Sequence, residues 1–466
     1  MRTLIVNGLV VTPTGEIRAD LLIEQGKIAG ILTPGGQLPA ADELIDASGL
    51  IVMPGTIDAH THFTAAHDFP ELELREGTQG AAAHGVTTII EMPHSLPPVT
   101  TVDSFLARRE MLASSCCVDF ALWAGLDGNN VSQLAKMQQA GAIAFKAFLC
   151  SDSADGAASD EKGLPRLNDD SLLRAMRELA CFNGLIGVHA ENHDILIGAS
   201  RELRAAGRSD NRAIALAGPE IAETEAVGRV LHFARQTGVR THIVHVSSAE
   251  AVRMITAARP AARVTCETCP HYLLLDVEDL VRIGANTRCS PPLRPRPVVN
   301  ALWQRVHSGE IDLLASDHYP CTPAQKQTGQ HGIWDAVKGL TGVETLGPLF
   351  FSEGHIRRAL PLAEVARMTA RGPAQVFQLW PQKGAIALGA DADLALYDPQ
   401  ANWTVSGEKF HGLGKWSAFD GIRCRGNVVR TLIRGITVFR AGEMQVAPGF
   451  GQFLTRTGYS PVLSGG

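Results

Sequence analysis

The 466-residue chain is 45% apolar and 19% charged, which supplies a large buried core plus a companion module and excludes a disordered polymer. Its net charge of −6, with no Lys/Arg cluster, excludes nucleic acid as a partner. No uninterrupted apolar run reaches about 18 residues, so no membrane partner is expected and a cytoplasmic location is.

Residues 1–48 alternate as short strands between Gly and Pro turns, the first apolar stretch breaking at Asn7 and Gly8. Eight β-rich apolar runs follow, at 49–62, 85–93, 118–126, 142–150, 185–192, 240–248, 262–272 and 311–320. Helical patterns occupy the gaps, among them 130–140, 171–182, 224–237 and 297–307, with Gly141, Gly184, Gly238 and Gly309 as their stops. Strict alternation of strand and helix predicts an α/β fold with a parallel sheet, and eight units predict one closed (β/α)8 TIM-like barrel. An open doubly wound sheet is the alternative, but no Gly-x-Gly-x-x-Gly turn follows the first strand. Residues 384–445 return to the texture of the N-terminus. Both chain ends are therefore expected to form a small β-sandwich, giving the division 1–48, 49–383 and 384–466.

Nine cysteines, an odd number scattered through apolar stretches, predict reduced thiols rather than a disulfide framework. Cys266-Glu-Thr-Cys269 resembles half a zinc knuckle, but no second pair exists and an alternating strand turns its two cysteines to opposite faces.

The first predicted strand ends in Asp58-Ala-His60-Thr-His62, and the two-residue period of a strand puts both imidazoles on one face. His189, His245 and Asp317 close the fifth, sixth and eighth runs, and Lys146 sits in the fourth. Taken singly, a strand His is a satisfied core residue and a strand Lys snorkels to water. Four His, one Asp and one Lys at the C-terminal ends of five strands of one barrel make coincidence a poor account, because barrel active sites lie there. Imidazole with carboxylate suits two divalent metal ions, zinc first and cobalt, manganese or iron as substitutes. An ammonium has no lone pair to offer a metal. Reaction of Lys146 with carbon dioxide would give a carbamate, an anion able to bridge two metals.

These residues resemble those of the amidohydrolase superfamily, in particular its cyclic amidohydrolases: allantoinases, hydantoinases or dihydropyrimidinases, and dihydroorotases. The similarity extends over Lys146-Ala-Phe-Leu-Cys-Ser151, Val188-His-Ala-Glu-Asn192, His242-Ile-Val-His-Val-Ser-Ser248, Cys266-Glu-Thr-Cys-Pro-His-Tyr272, Cys289-Ser-Pro-Pro-Leu-Arg294 and Ser316-Asp-His-Tyr-Pro-Cys-Thr-Pro323. The resemblance implies that His60, His62 and Asp317 hold one metal, that His189 and His245 hold the other, and that carbamylated Lys146 bridges them. It also implies Asp317 as general base, Ser151 and Ser290 as substrate-binding residues, and a homo-oligomer, by analogy a tetramer.

Within the group, Thr64 stands where dihydroorotases carry an Arg, and Ser151 where hydantoinases carry a Tyr. Allantoinases have a small residue at that second position and share the runs 92–98 and 317–323. The resemblance thus implies ring opening of a small cyclic amide, allantoin to allantoate in purine catabolism. Hydantoins, dihydropyrimidines and other cyclic ureides or imides stand as alternatives, because the loop 64–70 departs from allantoinases and Gly339-Leu-Thr-Gly-Val-Glu344 looks like dihydroorotases. A non-catalytic hydantoinase-like scaffold is disfavoured by the six filled ligand positions, and a deaminase by Lys146.

Overall fold

Eight apolar runs become the eight parallel strands of a barrel in the computed structural model, which describes residues 2–65, 69–151, 163–327 and 332–458. The strands are β1 (Thr56–Thr61), β2 (Val86–Glu91), β3 (Asp119–Gly125), β4 (Ala144–Phe148), β5 (Leu185–His189), β6 (Arg240–Ile243), β7 (Val264–Thr268) and β8 (Leu313–Leu314). They lie in sequence order, each hydrogen-bonded to the next. A parallel bridge from Thr61 to His318 returns the chain after β8 to β1 and closes the ring on one side. Ile57, Ile90, Trp123, Val244 and Leu313 pack inside it, and Trp123 Nε1 donates to Ala59 O at 3.1 Å. The interior is therefore a core, and the open space lies at the C-terminal strand ends.

Helices start where the strand-to-helix turns supply caps. Asn168, Asn192 and Ser248 each accept a backbone N–H of the first turn of the helices Asp169–Cys181, His193–Ala205 and Ala249–Ala258. Gly238 ends Glu220–Thr237 in the left-handed region, at φ 69°. Behind Asp169–Cys181 the left-handed residue is Asn183, at φ 56°, one position before the glycine expected from sequence. Asn tolerates that conformation because its short side chain bonds locally.

The two chain ends pair into one continuous nine-stranded mixed sheet that carries its own core of Ile5, Val10, Leu21, Val52, Leu394 and Leu432. Its centre is Ile51–Pro54, which runs parallel to Arg2–Thr12 and antiparallel to Leu394–Thr404. The expected first strand, 49–62, thus divides at Gly55 into a piece of this sheet and β1. A Cβ at Gly55 would lie 2.2 Å from Thr87 Oγ1, so only glycine allows this close passage to β2. At the N-terminal end of the barrel Lys383 is buried, and its Nζ meets Asp119 at 2.6 Å and Asp393 at 2.7 Å. One ammonium therefore joins the start of β3 to the terminal sheet. No described helix is long and apolar enough to cross a membrane.

Candidate metal centre

β1 delivers His60 and His62 to the barrel mouth side by side, their ring centroids 5.1 Å apart. The Nε2 atoms of both face one oxygen of Asp317, at 3.3 Å and 3.4 Å. His189, the last residue of β5, and His245 approach from the other side with centroids 4.5 Å apart, and His245 lies 5.4 Å from His60. Lys146 on β4 is 1% exposed and lines the same cavity as the four imidazoles and Asp317. All six residues singled out at the strand ends are thus gathered in one place.

Two of them are held differently from the sequence expectation. β6 stops at Ile243 and β8 at Leu314, so His245 and Asp317 lie beyond the strands, at φ 37° and 52°. Left-handed backbone at a non-glycine residue costs about 1–3 kcal/mol and persists where surrounding structure enforces it. Ser316 supplies part of that constraint: its N–H donates to Asp58 Oδ1 at 3.0 Å and its hydroxyl to Asp58 Oδ2 at 2.5 Å.

A second layer orients the imidazoles. Glu267, fully buried on β7, accepts from His60 Nδ1, from His242 Nε2 at 3.1 Å and from His245 N–H at 3.1 Å. Glu191 bonds His189 Nε2 at 2.8 Å and accepts from the Ser290 hydroxyl at 3.0 Å. Burial would raise the Glu267 carboxyl, but His60 and His242 hold it far below the usual range. Asp317, which is partly exposed to the cavity, is kept well below it by His60, His62 and His245. Both carboxylates stay ionised. Burial pushes the Lys146 ammonium down to about 8, against the pull of Asp317 and Glu267.

The donor set suits a cation. His60 Nε2, His62 Nδ1 and His245 Nδ1 are buried without a hydrogen-bond partner, an arrangement costly for a purely structural cluster. Among the described residues, His60, His62 and Asp317 bring ligand atoms within 4.8 Å of one another, as do Cys150, His189 and Glu191. Cys266 and Cys269 are buried in the main apolar core and belong to neither group.

Above these residues opens a cavity of about 280 Å³, at the lower end of small-ligand pockets, walled by His94, Phe148, Leu164, Ser290, Tyr319 and Trp334. Ser151 lies in an adjoining hollow that shares Ser290 and Trp334 with this cavity. Of the loop 64–70, Thr64 is buried and binds Glu91, while residues 66–68 lie outside the described residues. Sequence reading passed over Glu191, Glu267 and, apart from Ser290, the cavity wall. The spacing of Glu191 from His189, one strand period, was the available signal.

A parallel barrel with imidazoles and a carboxylate convergent at its C-terminal strand ends defines a hydrolase of the metal-binding barrel class. Residues 51–438 match the model of the amidohydrolase family. The chain belongs to the amidohydrolase family. It is 39% identical to an allantoinase from Rubrobacter xylanophilus, over 96% of each chain, and 35% identical to an L-hydantoinase from Paenarthrobacter aurescens, over 98% of each. Among solved structures, the L-hydantoinase (dihydropyrimidinase) from Arthrobacter aurescens superposes with a TM-score of 0.93 at 34% identity, over 97% of this chain and 99% of that one. A D-hydantoinase superposes with a TM-score of 0.90 at 30% identity, over 99% and 100%.

Proposed function

We propose that this enzyme opens the ring of a cyclic ureide by hydrolysing a C–N bond, with allantoin, converted to allantoate, as its substrate. The observation that carries the reading is the convergence of His60, His62, His189, His245 and Asp317 around buried Lys146. His60, His62 and Asp317 would hold one divalent ion, zinc by donor chemistry, and His189 and His245 a second. An ammonium between two such ions would repel both. Burial at the cavity floor disfavours the ammonium of Lys146, and the nitrogen of the free amine would bond the carbon of carbon dioxide and release one proton, leaving an anionic carbamate. Divalent ions held by these residues would supply Lewis acidity, lowering the pKa of a water and polarising the scissile carbonyl.

The chain's own groups do the rest. Asp317, ionised and held against both His60 and His62, takes the proton from the attacking water and delivers it to the leaving amide nitrogen. Glu267 fixes the His60 ring, and Glu191 the His189 ring. Phe148, Leu164 and Trp334 give the cavity an apolar side against which a ring can pack. The chemistry is thereby assigned to residues 49–383, with 1–48 and 384–466 as support.

A second reading, hydrolysis of hydantoins with an apolar ring substituent, is favoured by those same three side chains and by the likeness to an L-hydantoinase. A panel of allantoin, hydantoin, 5-alkylhydantoins, dihydrouracil, dihydroorotate and simple imides, followed for ring opening with zinc and bicarbonate supplied, tests both. Allantoin is expected to have the highest kcat/KM. A higher value for an alkylhydantoin selects the second reading, and no opening of any member rejects both.

A further inference from the structure

Lys326 ends the short helix Pro323–Lys326 and is 1% exposed, yet no carboxylate pairs with it among the described residues. Its Nζ donates to Val337 O at 2.7 Å, Gly339 O at 2.6 Å and Arg288 O at 3.3 Å. The ring of Trp416 closes over the ammonium at 4.8 Å, and Trp416 Nε1 in turn donates to Cys321 O at 2.7 Å. Gly339 N–H donates to Arg288 O at 2.9 Å, so that single carbonyl receives two donors. Arg288 then reaches back along the same segment, with Nη1 donating to Ile333 O at 2.6 Å and Trp334 O at 2.7 Å.

Two buried cations thus donate to backbone carbonyls, and those carbonyls belong to segments 288–290 and 333–339. Both segments wall the cavity over the metal centre, through Ser290, Trp334, Val337, Lys338 and Gly339. Apart from the 3-10 turn Ile333–Asp335 they are irregular, without a ladder of their own to hold them. Bonds from a charged donor are about twice as strong as neutral ones, and an ammonium offers three donors at once.

We propose that Lys326 is a positioning residue for substrate recognition, clamping segments 288–290 and 333–339 together so that the two walls of the cavity meet the cyclic amide at one fixed separation. The inference rests on the reading that this cavity receives the ring. Lys326 touches none of the residues at the metal centre, so its effect falls on binding and not on the chemical step. Burial pushes its ammonium down to about 8; Cys321 and Cys289 nearby act in the opposite sense and Arg288 in the same one. Deprotonation leaves an amine with two donors and no charge, so the clamp weakens as pH rises through that value.

The test uses the full-length, metal-loaded enzyme and the variants Lys326→Met and Lys326→Arg, with KM, kcat, metal content and amide hydrogen exchange of 333–339 measured from pH 7 to 9.5. For Lys326→Met, KM is expected to rise about 10- to 100-fold, the worth of bonds from a charged donor, with kcat and metal content little changed and exchange in 333–339 faster. Lys326→Arg, which stays charged, should recover most of the binding and keep KM flat where the wild-type KM climbs above pH 8. A wild-type KM that stays flat to pH 9.5 overturns the proposal, and so does a fall in kcat with metal loss in both variants. Should Lys326→Met fail to fold, Lys326→Arg and the wild-type pH profile decide. Should the wild type open no cyclic amide, the functional reading fails separately, and unchanged exchange in 333–339 in the variants then overturns the clamp as well.

Discussion

Glu267 accepts a hydrogen bond from His60 Nδ1 on the side of the ring opposite Asp317, so the remaining nitrogen, Nε2, turns its lone pair into the cavity. That partnership sets the tautomer of a candidate metal ligand, as outer carboxylates do for ligating histidines. Glu267→Gln is expected to weaken divalent metal binding about 10- to 100-fold, because an amide can donate where the carboxylate only accepts. Competition of the metal-free protein against a chelator measures this. An affinity equal to wild type would remove Glu267 from the support of the centre.

Lys146→Ala should lose most activity and regain part of it with acetate or propionate, which fill the space of the missing side chain with a carboxylate. The motivation is the burial of Lys146 at the floor of the cavity, where an ammonium opposes cation binding. Activity is measured with and without the added acid at fixed zinc. An alanine variant as active as wild type disposes of the carbamate.

The pattern of strands and the pair His60 and His62 were legible because a two-residue period needs only local sequence. Burial on both faces made the barrel strands stand out as unbroken apolar runs, which is how parallel strands read. What the run could not reveal is where regular backbone ends. His245 and Asp317 adopt positive φ just past their strands, held by Ser316, Asp58 and Glu267, partners up to 258 residues away. Glu267 was hidden between two cysteines that look like ligands and are core. Arg288, Lys326 and the wall 333–339 come from short or irregular segments whose partners are backbone carbonyls, and carbonyls leave no mark in a sequence.

Buried Glu73 makes stability depend on pH. Burial, with Glu344 and Glu76 close by, pushes its carboxyl up to about 8, although Leu413 N–H donates to it at 2.6 Å. The folded state therefore holds this proton more tightly than the unfolded state, whose carboxyl titrates near 4.5. The contribution is fully present below about pH 4.5 and is lost as pH rises to about 8. Glu73→Gln, which keeps an oxygen for Leu413, should cancel that loss. Its stability relative to wild type is expected to improve by about 2–4 kcal/mol between pH 5 and 8, within the linkage limit for such a shift. Urea unfolding at both pH values measures it, and parallel pH dependences in the two proteins would show that Glu73 ionises normally.

Asp317→Asn should cost more in turnover than in substrate binding. The carboxylate lies against both His60 and His62 and is kept ionised by them, so it is placed to take a proton at the point where the water attacks. Its loss removes an interaction made chiefly in the transition state, and general acid–base groups contribute about 10² to 10⁴-fold. Asn keeps a lone pair for a metal but cannot accept the proton and return it to nitrogen. If Asp317 were a ligand alone, excess zinc would restore the variant. Measuring kcat and bound metal together across zinc concentrations separates the two roles. A fall of that size at full occupancy assigns the proton transfer to Asp317. Near wild-type turnover at full occupancy would leave the ring opening without its base, and the Asp317 carboxylate would then be credited with holding metal and nothing more.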